Sequence, residues 1–473
     1  MAEKLSKTGK VLGVFSLAMI NVALICSLRG LPLMAEYGLS IVFFLLAAVI
    51  LFLIPVSLVS AELATAWPKK GGLYAWVRQA FGERWGFVAI CLQWLQNLVF
   101  YPTALAATAA VIAYLINPEL ANNKFYTLAI IIVIYWGALL INFRGMKISG
   151  LVSTIGTVLG IIVPGAVLMI MGLVWILSGE HSQIAFTVQN LMPDLSKLQN
   201  IVFLTGMFLF FAGMEVSGVH ALEVKNPQKD YPKAIFISAL IVIAIFLLGS
   251  ISIAMIIPQS QISLTAGIME TFAAVFDKFH LTWAIPVIVV LAAPGMIVQV
   301  SSWIAGPSRG LLATAENGDL PPFFQHLNKN NMPTHIMLVQ GIVVSLISVV
   351  FLFMPSVSSS FWILTDLAAL IYLSVYLIMF FAALKLRYSE PNTPRPYQVP
   401  GGTAGMWFFA GVGIFACMAA IILGFIPPSQ LETGNLFFYE AFLGSGLAIA
   451  ISIPFIIYHF KKASWKKKIE IAN

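Results

Sequence analysis

Few residues in this chain could do chemistry, and most of them stand inside apolar sequence. "ICSLRGLPLM" (25–34) sets Arg29 beside Gly30 and Pro32 in one long apolar run, and "FFAGMEVSGVH" (210–220) sets Glu215 between Gly213 and Gly218 in another. An ionisable group inside a bilayer is costly and marks a functional site by default. Glycine and proline weaken the helix that would shelter it. A helix interrupted in lipid frees backbone N–H and C=O groups that lipid cannot satisfy, whereas a solute, an ion or water can.

Glu215 is read as a proton-coupling group, against a structural hydrogen bond that holds a broken helix. Arg29 has three readings: a snorkelling anchor, one half of an ion pair with Glu215 or another internal carboxylate, or a guanidinium that attracts a solute carboxylate. Gln299 is an interhelical hydrogen bond or a site group. Tyr372 and Tyr376, four residues apart, share a helix face as a site wall or a packing stripe. Glu62 and His220 read as interfacial, Asp366 and Glu440 as solvated or helix-capping, and Trp303 as packing.

Other chemistries are unsupported. The six histidines show no metal-ligand spacing, and Cys26, Cys91 and Cys417 fall within apolar runs, where packing is their default role. No G-x-x-x-x-G-K-[ST] motif is present, so the sequence encodes no ATP-driven pump. No cluster of His, Asp or Glu gathers at one membrane face, which argues against a membrane enzyme; no cofactor is called for. The G-x-x-x-G pairs Gly156–Gly160 and Gly306–Gly310 predict close helix packing and nothing more.

The elements that must position these residues are membrane spans. Of 473 residues, 60% are hydrophobic and 10% charged, with a mean hydropathy of +0.94; a soluble chain carries about 25% charged residues. A helical span needs roughly 20 mostly apolar residues. Twelve such runs lie near 11–34, 39–66, 86–116, 124–142, 151–177, 199–222, 234–257, 282–312, 334–354, 361–386, 405–426 and 437–460. A β-barrel would show short alternating segments instead. The expected fold is an all-α polytopic membrane protein of twelve transmembrane helices, one transmembrane domain over 1–473. The stretch 261–280, interrupted by Glu270, Asp277 and Lys278, is expected to be a surface helix in a loop. The first run is too long for a signal peptide and lacks a small-residue cleavage site, so it reads as an uncleaved span.

All but four of the 26 Lys and Arg residues fall in one of the two alternating sets of connections, termini included; the exceptions are Arg29, Lys124, Lys197 and Lys278. The positive-inside rule therefore places both termini in the cytoplasm of a cell (inner) membrane. The net charge of +7 reflects topology, and no nucleic-acid partner is implied. The basic tail "HFKKASWKKKIEIAN" reads as a stop signal lying on anionic lipid. The interrupted spans, first and sixth, open two successive groups of five. Paired interruptions of this kind point to a transporter's midplane site, and an odd number of spans per half makes the repeats inverted. The halves are 11–177 and 199–386, with two additional helices in 405–460.

Four loops then carry a resemblance: "WPKKGGLYAWVRQAFGERWGF" (67–87), "ALEVKNPQKDYPKAI" (221–235), "GPSRGLLATAENGDLPPFFQHLNKNNMP" (306–333) and "LRYSEPNTPRPYQVPGG" (386–402). In this order they resemble the amino acid/polyamine/organocation transporters over essentially the whole chain. "GLSIVFFLLAAVILFLIPVSLVSAELAT" and "SSWIAGPSRG" are most similar to the glutamate/γ-aminobutyrate antiporter branch. The resemblance implies a LeuT-like core of ten helices in two inverted repeats, with a site between spans 1, 3, 6, 8 and 10. It implies that Cys26, Ser27 and Leu28 bind a carboxylate, that Phe211, Ala212 and Gly213 sit at the site, and that Tyr372 and Tyr376 line the path. With Arg29, Gly30 and Gln299 these complete the expected substrate-binding set.

The chain also departs from those antiporters. Gln299 replaces a glutamate, Arg29 has no counterpart, Thr154 stands where a lysine is expected, and only about a dozen residues follow Phe460 in place of a long C-terminal segment. Losing a negative charge and gaining a positive one favours anionic or zwitterionic amino acids over cationic amines. The expected function is secondary transport of small amino acids by alternating access, as exchange of a substrate for a counter-substrate. Proton-coupled symport and a transporter-like sensor remain open, as does the oligomeric state.

Overall fold

The computed structural model describes residues 13–68, 71–145, 156, 158–216 and 226–466. Thr154, Gly218, His220 and residues 221–225 of the 221–235 signature lie outside the described residues. Eleven helices among them are long and apolar enough to cross a membrane. They match the second to twelfth of the expected runs. The first run differs because it is split: one helix spans Val14–Ile25, Cys26 and Ser27 are extended, a single turn follows at Leu28–Gly30, and a short helix completes the run at Leu31–Ala35.

Burial ranks the helices. In the most apolar windows of the third span, Glu83–Ala113, and the tenth, Val357–Ser389, 89% and 78% of residues are covered by protein, against 17% in the twelfth, Leu436–His459. The third and tenth spans are thus the centre of the bundle, and the twelfth is peripheral. Spans five and eight touch backbone to backbone: a Cβ on Gly160 would lie 2.2 Å from Cα of Gly295. This is the close packing expected of the first G-x-x-x-G pair. In the second pair, Gly310 admits Ile90 while Gly306 meets nothing within 4 Å.

The 261–280 stretch forms a helix at Gly267–Lys278, too short to span, whose buried face packs over the end of the first run, with Gly267 against Pro32. Nearby, the Gln259 side chain donates to the Glu36 carbonyl at 2.6 Å.

Three sequence expectations are corrected. Asp366 is fully buried, not solvated, because its helix face is covered by spans eleven and twelve; Tyr439 donates to it at 2.9 Å, and Gly424 leaves room for its carboxyl. Glu62 is buried rather than interfacial. The start of the tail docks on protein rather than lying on lipid. Lys461 pairs with Asp319 at 2.6 Å and Gln325 donates to the Trp465 carbonyl at 2.6 Å. Glu440 is exposed, as expected.

Candidate functional site

The break in the first run is held by the eighth span. The Gln299 amide donates to the Cys26 carbonyl at 3.1 Å, and its oxygen accepts from the Ser27 hydroxyl at 3.3 Å. One side chain thereby satisfies a backbone carbonyl freed by the break and fixes the neighbouring serine hydroxyl. Beyond it, the N–H groups of Ser27, Leu28 and Arg29 stand outside any helical ladder.

The sixth span breaks at Ala212, which is extended, and Gly213, whose φ of +118° is a conformation that favours glycine. Gly213 donates its N–H to the Tyr376 hydroxyl at 2.9 Å. That hydroxyl donates to Glu215 Oε2 at 2.6 Å, and Tyr372 donates to Oε1 at 2.5 Å. Gln93 of the third span donates to the Tyr372 oxygen at 3.4 Å. Glu215, 2% exposed, thus has each carboxylate oxygen bound by a phenol of the tenth span. The four-residue spacing of the tyrosines makes this two-point grip possible.

Both breaks open on one cavity of about 30 Å³, lined from the first run by Ile25, Ser27 and Arg29, from the sixth span by Leu209, Phe210 and Ala212, and by Gln299 and Tyr372. A water needs about 10–15 Å³, so this conformation has room for a water or two and is too small for an amino acid. The third span contributes Gln96, Asn97 and Phe100, and the eighth adds Trp303. These were missed as site residues, although "QWLQN" (93–97) is a dense polar stretch for a membrane helix, a signal the sequence carried.

Arg29 is 3% exposed, so it does not snorkel. Nη1 donates to the Thr103 hydroxyl at 2.7 Å, and the guanidinium lies 4.4 Å from the Phe100 ring centroid and 4.8 Å from that of Phe210. Its Nε has no hydrogen-bond partner, and no carboxylate among the described residues pairs with it. The proposed pairing with Glu215 is absent because both oxygens of that group are taken by tyrosines. Aromatic faces hold the cation while leaving its donors available.

Not every expected residue meets the cavity. Phe211 points to Phe246 of the seventh span, ring centroids 5.3 Å apart, and the neighbouring Phe210 faces the cavity instead, since one residue turns a helix by about 100°. Gly30 lies against the Phe210 ring, which a Cβ would meet at 2.9 Å. Leu28 reaches Gly165 of the fifth span, and Tyr376 stands behind Tyr372.

At the basic face a second buried carboxylate has a different setting. Glu62, at the end of the second span, pairs with Arg387 at 2.5 Å and Arg395 at 3.2 Å and accepts the Val399 N–H at 2.8 Å. It ties the second span to the tenth and to the loop after it.

A sequence profile of the amino acid permease family matches residues 12–447. The chain belongs to this family. The permease is 46% identical over 447 residues to an uncharacterized transporter of Legionella pneumophila, covering 94% of this chain and 96% of that protein. It is 32% identical over 458 residues to the glutamate/gamma-aminobutyrate antiporter of Lactococcus lactis, covering 95% and 90%. The permease is a transporter and not an enzyme, a multi-pass membrane protein.

Proposed function

We propose that the permease exchanges small anionic or zwitterionic amino acids by alternating access, with the solute carboxylate bound by Arg29 and the freed N–H groups at 27–29. The observation that carries this reading is the pair of helix breaks, at Cys26–Ser27 and Ala212–Gly213, opening on one cavity beside a buried arginine that lacks a carboxylate partner. N–H groups beyond a break and a guanidinium fork both suit a carboxylate. Similarity to an antiporter of glutamate and γ-aminobutyrate supports the same class of solute. The cavity must widen to load it, and the breaks are the places where half-helices can tilt.

Glu215 couples this movement to protons. Two phenols donating to its two oxygens hold this side chain beside the break. A proton weakens the acceptor that both phenols grip, which frees either phenol to turn toward another partner. If Tyr376 turns, the Gly213 N–H loses its acceptor, so protonation bears directly on the break. The reading extends to twelve spans, inverted repeats over 11–177 and 199–386, and both termini in the cytoplasm, on the basic face.

Counterflow in proteoliposomes tests it. Uptake of labelled glutamate into vesicles preloaded with unlabelled amino acid is expected to exceed uptake into empty vesicles about tenfold. Equal uptake driven by a pH gradient into both would mean symport, and binding without uptake would mean a sensor.

A further inference from the structure

At the face opposite the basic loops, external under the proposed orientation, lies a cavity of about 340 Å³, far roomier than the closed central one. Its floor is Glu36, just after the first run, and its rim includes the exposed Asp194 and Ser429.

The donors around it are spent on their neighbours. Gln259 donates to the Glu36 carbonyl at 2.6 Å, Asn200 to Asp194 at 3.2 and 3.3 Å, Ser429 to Asn200 at 2.8 Å, and Gln430 to the Asn200 carbonyl at 3.4 Å. Apart from the Tyr37 hydroxyl, which is buried without a partner, what remains is acceptor. The Glu36 carboxyl is 5% exposed, yet no hydrogen bond or ion pair reaches it among the described residues. The Gln430 side-chain oxygen is buried with no donor. Asp194 adds a negative charge, which hydrogen bonds from Ser196 hold below the usual carboxylate range. One wall is the stacked pair Tyr37 and Phe44, ring centroids 3.9 Å apart, a surface that attracts cations.

A buried acceptor without a donor is costly. The complementary ligand is positively charged, donates several N–H bonds and tolerates an aromatic wall. A metal ion fits poorly, since no group of three or more metal-ligating side chains gathers among the described residues. We propose that this cavity is a second binding site, separate from the central one, that takes the ammonium group of an amine or amino acid between Glu36, Asp194 and the Gln430 oxygen.

Burial raises the Glu36 carboxyl to about 8. Across the cavity the other titratable groups are Asp194 and Tyr37, while Asn200, Gln259 and Gln430 are neutral. A bound ammonium favours the ionised carboxyl, so binding at this floor is linked to release of its proton.

Calorimetric titration of the purified full-length protein with butylammonium, a probe without a carboxylate, tests the site directly. Wild-type affinity should rise with pH up to about 8. Glu36→Gln should weaken binding at least about tenfold and flatten that rise, the loss of a desolvated charge pair. Asp194→Asn, at the exposed rim where folding is not at stake, should weaken it several-fold. Unchanged affinity in either variant overturns the proposal. So does displacement of butylammonium by sodium or potassium at equal concentration, which would make this a site for inorganic cations. The measurement needs no transport, so its failure is distinct from failure of the exchange reading.

Discussion

Two carboxylates lie equally deep in this permease, each 2% exposed, and they are held in opposite ways. Glu62 sits between the guanidinium groups of Arg387 and Arg395, whereas Glu215 is gripped by the phenols of Tyr372 and Tyr376. Between two cations a carboxylate is held by fixed countercharges, and losing it would leave two buried positive charges facing each other. Between two neutral phenols it gains hydrogen bonds without a fixed countercharge, so a proton can arrive without leaving a buried cation unpaired. Depth in the membrane does not tell a lock from a switch. The partners do.

The largest expected effect comes from breaking the lock. Glu62→Gln strands Arg387 and Arg395, and removing one partner of a buried ion network costs about 3–5 kcal/mol. Much less folded protein should be recovered after solubilisation, with a lower melting temperature; a variant as stable as wild type would dissolve the contrast. Glu215→Gln should instead leave the melt close to wild type and flatten the pH dependence of exchange. If the pH profile survives intact, Glu215 is a structural hydrogen-bond acceptor.

Arg29 sharpens the comparison as the buried cation without a carboxylate of its own. Arg29→Ala should raise the KM for an amino acid about tenfold or more, the scale of one or two charge-assisted hydrogen bonds. Arg29→Lys should restore it in part, lacking the planar fork. Uptake kinetics at matched abundance decide this, and an unchanged KM would leave Arg29 a packing cation.

Asp366 is a third case, with a single donor, Tyr439, and one oxygen without a partner. Asparagine can accept the same bond, so Asp366→Asn should shift stability by about 1 kcal/mol or less and leave the pH profile of exchange alone. A flattened profile would make Asp366, too, a proton site. The smallest effect is expected from deleting residues 462–473. That removes the contact of Gln325 with Trp465 but keeps Lys461 on Asp319, so the melt should drop slightly with no change in pH response.

The sequence by itself determined the membrane class, nearly every span, and the places where two of them break. Those features rest on local physics: long apolar runs, and glycine beside charge at 213–215, while Gly30 and Pro32 mark the first interruption about one turn late, since the chain leaves the helix at Cys26–Ser27. It also put Tyr372 and Tyr376 on one face. Only the tertiary structure decided what each polar group meets. Tyr372 and Glu215 are 157 residues apart and Glu62 and Arg387 are 325 apart, and no local pattern pairs them. Asp366 looked solvated because its neighbours in sequence place it near a span end; the helices that bury it come later in the chain. Glu36 stands in the sequence just past an apolar run, and only the packing of distant loops left its carboxyl at the floor of a cavity. Spacing along a helix fixes which side chains share a face, but burial and partners depend on what packs against that face, and that is settled by the fold.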